Sequence, residues 1–169
     1  GAPARAGAVL KEAALQSSDQ KIRAEVVRIA MEAGPVVAFT TAAGLAAHPS
    51  ALRAMAQVLL EGPWTARELI EAINSSGLNS NSEYALAGSI LSSLGRPDLS
   101  WNILREALIS SPQESLLRIE GLRAAGLLGE PKFIDDISVN PPIAEVEAER
   151  VNAMLKAGEI TQARILADM

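Results

Sequence analysis

The chain has 169 residues, of which 49% are hydrophobic and 21% are charged, and it contains no cysteine. This composition is typical of a globular protein, and it excludes disulfide bonds, thiolate catalysis and cysteine-bound zinc. The formal net charge is −5 and the basic residues are scattered singly. That pattern argues against a nucleic-acid partner, because phosphate binding needs clustered positive charge.

Alanine and leucine dominate, and aromatic residues make up only 3% of the chain. Small and unbranched side chains favour closely packed helices, whereas sheets favour β-branched and aromatic residues. Apolar residues also recur with helical spacing, as at Tyr84, Ala87, Leu91 and Leu94. The sequence therefore predicts an all-α fold of about ten short helices. They are expected at 4–16, 18–33, 36–47, 50–61, 65–76, 81–94, 97–110, 112–127, 131–138, 142–157 and 160–168.

Helix ends are marked by capping residues and by glycine. Four stretches have the capping-box pattern, in which two side chains each accept a hydrogen bond from the other residue's backbone N–H. They are Ser17–Gln20, Thr65–Glu68, Ser80–Glu83 and Ser111–Glu114. Pro112 suits the first helical position, where no N–H is needed. Glycines after apolar segments predict left-handed helix ends at 34, 62, 77, 95, 129 and 158.

Five of these glycines form corners that recur along the chain. Gly34, Gly62, Gly95, Gly129 and Gly158 follow one another at intervals of 28, 33, 34 and 29 residues. A proline follows the first four within two residues, and proline can begin a helix although it cannot continue one. Each corner therefore joins two helices into an αα-hairpin. A period near thirty residues is typical of a helical solenoid.

Residues 81–112 resemble one tetratricopeptide repeat. The residues that occupy positions of that repeat's consensus pattern are Tyr84, Ala87, Gly88, Leu91, Gly95, Ser100, Leu104, Ala107 and Pro112. At three of these positions the consensus prefers another residue: Trp where this chain has Tyr84, Leu where it has Ala87, and Ala where it has Ser100. The resemblance implies a right-handed α-solenoid of stacked αα-hairpins over 48–169, with 1–47 as capping helices or a degenerate repeat. A less specific α-solenoid, or a compact bundle with coincidental spacing, is the alternative.

No residue pattern points to catalysis, a cofactor or a metal. His48 is the only histidine, and no acidic residue lies within ten positions of it. It is expected at a helix corner. The acidic residues Asp135, Asp136, Glu145, Glu147 and Glu149 lack the loop spacing of a calcium site and predict a solvated surface. The glycines form neither G-x-G-x-x-G nor a P-loop, so no nucleotide site is predicted.

A groove for another polypeptide is predicted instead. In tetratricopeptide arrays the first helix of each pair lines a concave surface that holds a peptide, and the resemblance carries this role to nine positions. They are Leu52, Ala56, Leu59, Ala85, Ser89, Ser92, Leu116, Ile119 and Arg123. Such a groove is mostly apolar and suits the hydrophobic face of a helix or an extended aliphatic segment. The alternative is that the same side chains are buried inside the fold.

The two tryptophans, Trp64 and Trp101, each follow a corner proline. At the start of a second helix, a tryptophan is expected to wedge between repeats in the core. The longest weakly polar stretch, at 35–47, is shorter than the roughly 20 residues of a transmembrane helix, so no membrane span is expected. No signal segment opens the chain, and the sequence is compatible with a cytoplasmic or a periplasmic location.

The sequence therefore predicts a non-enzymatic protein–protein interaction module that acts as a scaffold or chaperone-like accessory. The alanine- and leucine-rich composition fits a bacterial protein, for example one of envelope or secretion assembly. The alternative is a structural piece of a longer solenoid that spaces or oligomerises other domains, with self-association through its ends. An all-helical enzyme is the third and least supported interpretation, and no cofactor is expected.

Overall fold

The computed structural model describes residues 17, 19–137 and 142–167. Every regular element in these ranges is an α-helix, which confirms the predicted all-α class. The helix predicted at 4–16 lies outside the described residues. The helices are α1 Gln20–Met31, α2 Pro35–Leu45, α3 Pro49–Leu60, α4 Ala66–Ser76, α5 Asn81–Ser93, α6 Pro97–Ser110, α7 Ser115–Leu128, α8 Pro131–Asp135, α9 Ala144–Lys156 and α10 Ile160–Ala167.

Two of the four predicted capping boxes form. The Thr65 hydroxyl accepts from the Glu68 N–H at 3.3 Å, and the Glu68 carboxylate accepts from the Thr65 N–H at 2.7 Å. Ser80 and Glu83 make the same reciprocal pair, at 3.3 and 2.9 Å, before α5. Both boxes satisfy backbone donors that the first turn of a helix leaves unpaired.

The other two predicted boxes are wrong. The N-cap of α1 is Asp19, whose carboxylate accepts from the Lys21 N–H at 2.8 Å, while Ser17 accepts from the Asp19 N–H. A carboxylate is the stronger acceptor and takes the capping position. Ser111 instead ends α6, because its N–H donates to the Ala107 carbonyl. The turn that follows delays α7 until Ser115, so Pro112 lies in that turn and not in the helix.

The glycine corners at 34, 77, 95, 129 and 158 have positive φ, as predicted. Gly62 does not, and the prediction of a left-handed end is wrong there. A Cβ at Gly62 would lie 3.0 Å from the Leu59 carbonyl oxygen and 3.2 Å from Met31 Cε. Gly62 is therefore required by close packing beneath α1 and α3, not by its backbone angle.

The helices divide into two compact units, with the boundary between Leu86 and Ala87 in α5. The predicted division after residue 47 lies inside the first unit and stays a prediction. In the first unit, α1 packs against α2 and α3, and α2 packs against α3 and α4. The fully buried core of this unit includes Phe39, Leu45, Leu52, Met55 and Leu59.

In the second unit, α7 is the central helix and contacts α6, α8 and α9, while α9 also contacts α10. Gly88 of α5 faces Leu104 of α6 so closely that an added Cβ would lie 2.5 Å from Leu104 Cδ1. Beside this contact, buried Ser92 donates to Ser100 at 3.0 Å, and Ser100 donates to the Gly88 carbonyl at 2.9 Å. Small residues at Gly88 and Ser100 thus let α5 and α6 approach each other closely. None of the described helices is long and apolar enough to cross a bilayer.

Candidate functional site

One face of α6 collects apolar side chains around a single positive charge. Trp101, Arg105, Leu108, Ile109 and Pro112 follow one another at i, i+4, i+7, i+8 and i+11, which places them on one side of α6 and of the turn after it. Pro97 supplies the first residue of the helix, where its missing N–H costs no hydrogen bond. The helix thus presents a continuous strip from its second turn to the turn that follows it.

Trp101 anchors the base of this strip. Its indole stacks on the Phe133 ring of α8, with the ring centroids 4.6 Å apart and the planes 13° from parallel. Trp101 is buried, as predicted for a tryptophan wedged in the core. Trp64, by contrast, is only half-buried. Since the Trp101–Phe133 stack ties α6 to α8, it fixes the position of Asp136 and Ile137, which follow α8 directly.

A cleft of about 320 Å³ lies between α6 and the segment that directly follows α8, and it is called the α6–α8 cleft below. Its lining consists of Trp101, Arg105, Leu108, Ile109, Pro112, Asp136 and Ile137. Ile109 is 74% exposed, the highest value among the large hydrophobic side chains of the described residues. Trp101 and Ile137 are buried and form the base of the cleft. An apolar base with an exposed aliphatic wall can hold a hydrophobic side chain of a partner.

Two opposite charges complete the cleft. Arg105 belongs to α6 and Asp136 to the segment after α8, and both side chains are exposed. Neither side chain forms a hydrogen bond or ion pair with another residue of the described part of the chain. Both groups are therefore free to bind polar groups of a ligand. Only Arg105 and Asp136 bring formal charge to this lining.

A second polar cluster joins α7 to α9. Arg123 Nη1 donates to both carboxylate oxygens of Glu120, at 2.9 and 3.0 Å, and Arg123 Nε lies 3.8 Å from Glu149 Oε1. The Glu120 side chain is only 1% exposed. Burial lowers the pKa of nearby Arg118, and the negative charge of Glu147 partly opposes that shift. The cluster holds two helices together and lies mostly inside the protein.

The predicted exposure of Glu149 is wrong. Glu149 was expected on a solvated surface, but its side chain is only 12% exposed and faces Arg123. Glu145, Asp135 and Asp136 are exposed, as predicted. Asp135 Oδ1 lies 3.4 Å from Arg150 Nη2. The described residues contain no group of three or more acidic or histidine side chains placed to hold a metal ion.

The residues predicted to line a groove lie elsewhere. Eight of them are buried: Leu52, Ala56, Leu59, Ala85, Ser89, Ser92, Leu116 and Ile119. Arg123 keeps 20% of its side chain exposed, and it is engaged with Glu120 and Glu149. The binding role of these nine positions stays a prediction. His48 is exposed at the N-cap of α3, the corner position predicted for it.

The α6–α8 cleft was not predicted from the sequence. Its two walls are separated along the chain by the whole of α7, so no local pattern connects Arg105 with Asp136. The spacing of Trp101, Arg105 and Ile109 was available as a signal, because it marks one helix face. How α8 packs beside that face is set by contacts between distant segments, such as the Trp101–Phe133 stack, which no local pattern specifies.

Comparison of the chain with protein-family models, with curated proteins and with solved structures found no match.

Proposed function

We propose that this protein is a non-catalytic polypeptide-binding module, a tetratricopeptide-like α-solenoid that holds a partner segment in the α6–α8 cleft. The cleft carries the proposal, because it combines a rigid aromatic base with an aliphatic wall that is exposed to solvent. Exposed Ile109 would be buried by a partner, and burial of apolar surface is the main driving force of such association.

The order of helix contacts supports the solenoid. In the first unit, the pairs α1/α2, α2/α3, α1/α3 and α2/α4 are in contact, and each pair joins helices that are first or second neighbours along the chain. In the second unit, α7 contacts the helix before it and the two helices after it. Repeat proteins have this nearest-neighbour pattern, because each hairpin buries its apolar face on the next one.

The expected affinity is modest. At about 25 cal/mol per Å², burial of a few hundred Å² of apolar surface contributes several kcal/mol before the cost of association. A dissociation constant in the micromolar to millimolar range, about −8 to −4 kcal/mol, is therefore expected for a short peptide. Such an affinity suits reversible recognition of a segment that the partner exposes.

Selection from a displayed library of random peptides tests the proposal. Peptides that bind the protein are expected, and Ile109→Asp is expected to weaken their binding at least tenfold because a carboxylate then replaces the aliphatic wall. Ile160→Asp is the matched control, since Ile160 is 67% exposed on α10 and does not line the cleft. The control should bind like the original protein. Failure to select any peptide, or equal binding by Ile109→Asp, would overturn the proposal.

A further inference from the structure

The charges of the α6–α8 cleft lie on opposite walls, and this arrangement specifies more than hydrophobic binding. Arg105 is on α6, halfway between Trp101 and Ile109, whereas Asp136 follows the last residue of α8. A peptide segment bound on the apolar base lies between the wall that carries Arg105 and the wall that carries Asp136. Its flanking residues then meet a guanidinium on one side and a carboxylate on the other.

We infer that the cleft recognises a polypeptide segment with one aliphatic side chain flanked by an acidic residue on one side and a basic residue on the other. The aliphatic side chain packs on Trp101 and Ile137, Arg105 binds the acidic residue, and Asp136 binds the basic residue. This inference rests on the proposed function and adds the chemistry and the order of the partner's residues.

The lining favours an aliphatic anchor. Leu108, Ile109, Pro112 and Ile137 are the side chains around the aromatic base, and the only aromatic ring in the lining, that of Trp101, is already stacked on Phe133. The volume of about 320 Å³ is near the lower end for ligand pockets, roughly 300–1,000 Å³. That size suits one anchoring side chain with its neighbours.

The charges are expected to set orientation more than strength. Both Arg105 and Asp136 are exposed, so each ion pair with a partner is screened by water and salt and changes affinity by at most about fivefold. Two opposite charges across a groove nevertheless distinguish a segment from its charge-reversed counterpart, because the reversed segment places like charges together on both walls.

Three synthetic peptides with blocked ends test the inference. Each has a central leucine between two variable flanking positions: glutamate before and lysine after, the same pair in reversed order, or glutamine at both. Fluorescence anisotropy at low salt is expected to show that one charge order binds several-fold more tightly than the other two peptides. Added salt should remove most of this preference.

A charge-exchanged protein is the decisive variant. The double substitution Arg105→Glu with Asp136→Lys preserves the net charge and should transfer the preference to the peptide of opposite order. The matched control, Arg53→Glu with Glu32→Lys, exchanges two exposed charges of the first unit and should leave the original preference unchanged.

The possible results distinguish failure of this inference from failure of the proposed function on which it rests. Equal binding of all three peptides, or an unchanged preference after the charge exchange, would overturn the inference while an effect of Ile109→Asp still supported the proposed function. If no peptide from these three or from the random library binds, both are wrong. Binding of a neutral hydrophobic dye alone would likewise overturn both, because the cleft would then lack selectivity for polypeptide.

Discussion

At the scale of single residues, Gly126 sets how closely α7 approaches α9. A Cβ at this position would lie 2.7 Å from Ala153 Cα and 3.1 Å from the Ala153 carbonyl oxygen, so it would meet backbone that cannot rotate away. We expect Gly126→Ala to destabilise the protein by about 1–2 kcal/mol, since an overpacking cost of about 1–3 kcal/mol exceeds the gain in helix propensity. Chemical denaturation monitored by circular dichroism measures the change.

Gly121→Ala is the matched control for that substitution. It lies on the same helix, and its new Cβ would meet only the ends of two flexible side chains, Leu108 Cδ1 at 2.9 Å and Ile137 Cδ1 at 3.1 Å. The stability change is therefore expected to stay below about 1 kcal/mol, because the helix-propensity gain offsets a small shift of these side chains. Equal losses for the two variants would contradict the close backbone contact of α7 with α9.

Glu68 gives a pH-dependent prediction at the same scale. Two hydrogen bonds stabilise the Glu68 carboxylate and lower the pKa of Glu68. The larger effect comes from the backbone N–H of Thr65, and the smaller from the Thr65 hydroxyl. Because the folded pKa is below the unfolded one, this contribution is complete above the unfolded pKa and is lost as the pH falls through the folded pKa. Wild type should therefore be more stable than Glu68→Gln at neutral pH, and the difference should vanish in acid. Urea denaturation across this range measures it, and a difference independent of pH would contradict the capping interaction.

At the scale of helices, the Arg123 cluster connects α7 with α9. Replacement by Arg123→Met keeps most of the packing volume but removes the two hydrogen bonds to the buried Glu120 carboxylate. A loss of about 2 kcal/mol is expected, because a mostly buried carboxylate loses charge-assisted partners. Arg67→Met is the comparison, since the Arg67–Glu71 pair is exposed and is worth less than about 0.5 kcal/mol. Similar losses in the two variants would show that the α7–α9 cluster has no special role.

Sequence reasoning predicted helices better than it predicted surfaces, and the cause is physical. The proline and glycine signals act locally, so α2, α3 and α6 begin within one residue of their predicted starts. The start of α7 was missed by three residues because Ser111 serves the preceding helix as its end. The tetratricopeptide resemblance assigned Leu52 and Leu59, which are seven residues apart, to one face of α3. It could not indicate that other helices bury this face.

At the scale of the whole molecule, the proposed solenoid and a compact bundle differ in how far a local perturbation spreads. In a solenoid, stability is a sum of hairpin terms and nearest-neighbour interfaces, so a weakened interface opens its own neighbourhood first. Arg123→Met weakens α7 and α9, both in the second unit. Hydrogen exchange followed by mass spectrometry should then show faster exchange in α7, α9 and their contact partners, with α1 to α3 unchanged.

A second variant, with its substitution in the first unit, tests the same distinction between solenoid and bundle. Phe39→Leu removes part of a fully buried ring in α2 and leaves a space in the first unit, where α2 packs against α1, α3 and α4. Faster exchange is expected in those four helices, while α7 and α9 keep the rates of the original protein. If each variant instead accelerated exchange equally in both units, the chain would be opening as one cooperative body. That result would favour the compact bundle, because only a shared core couples every helix to every other.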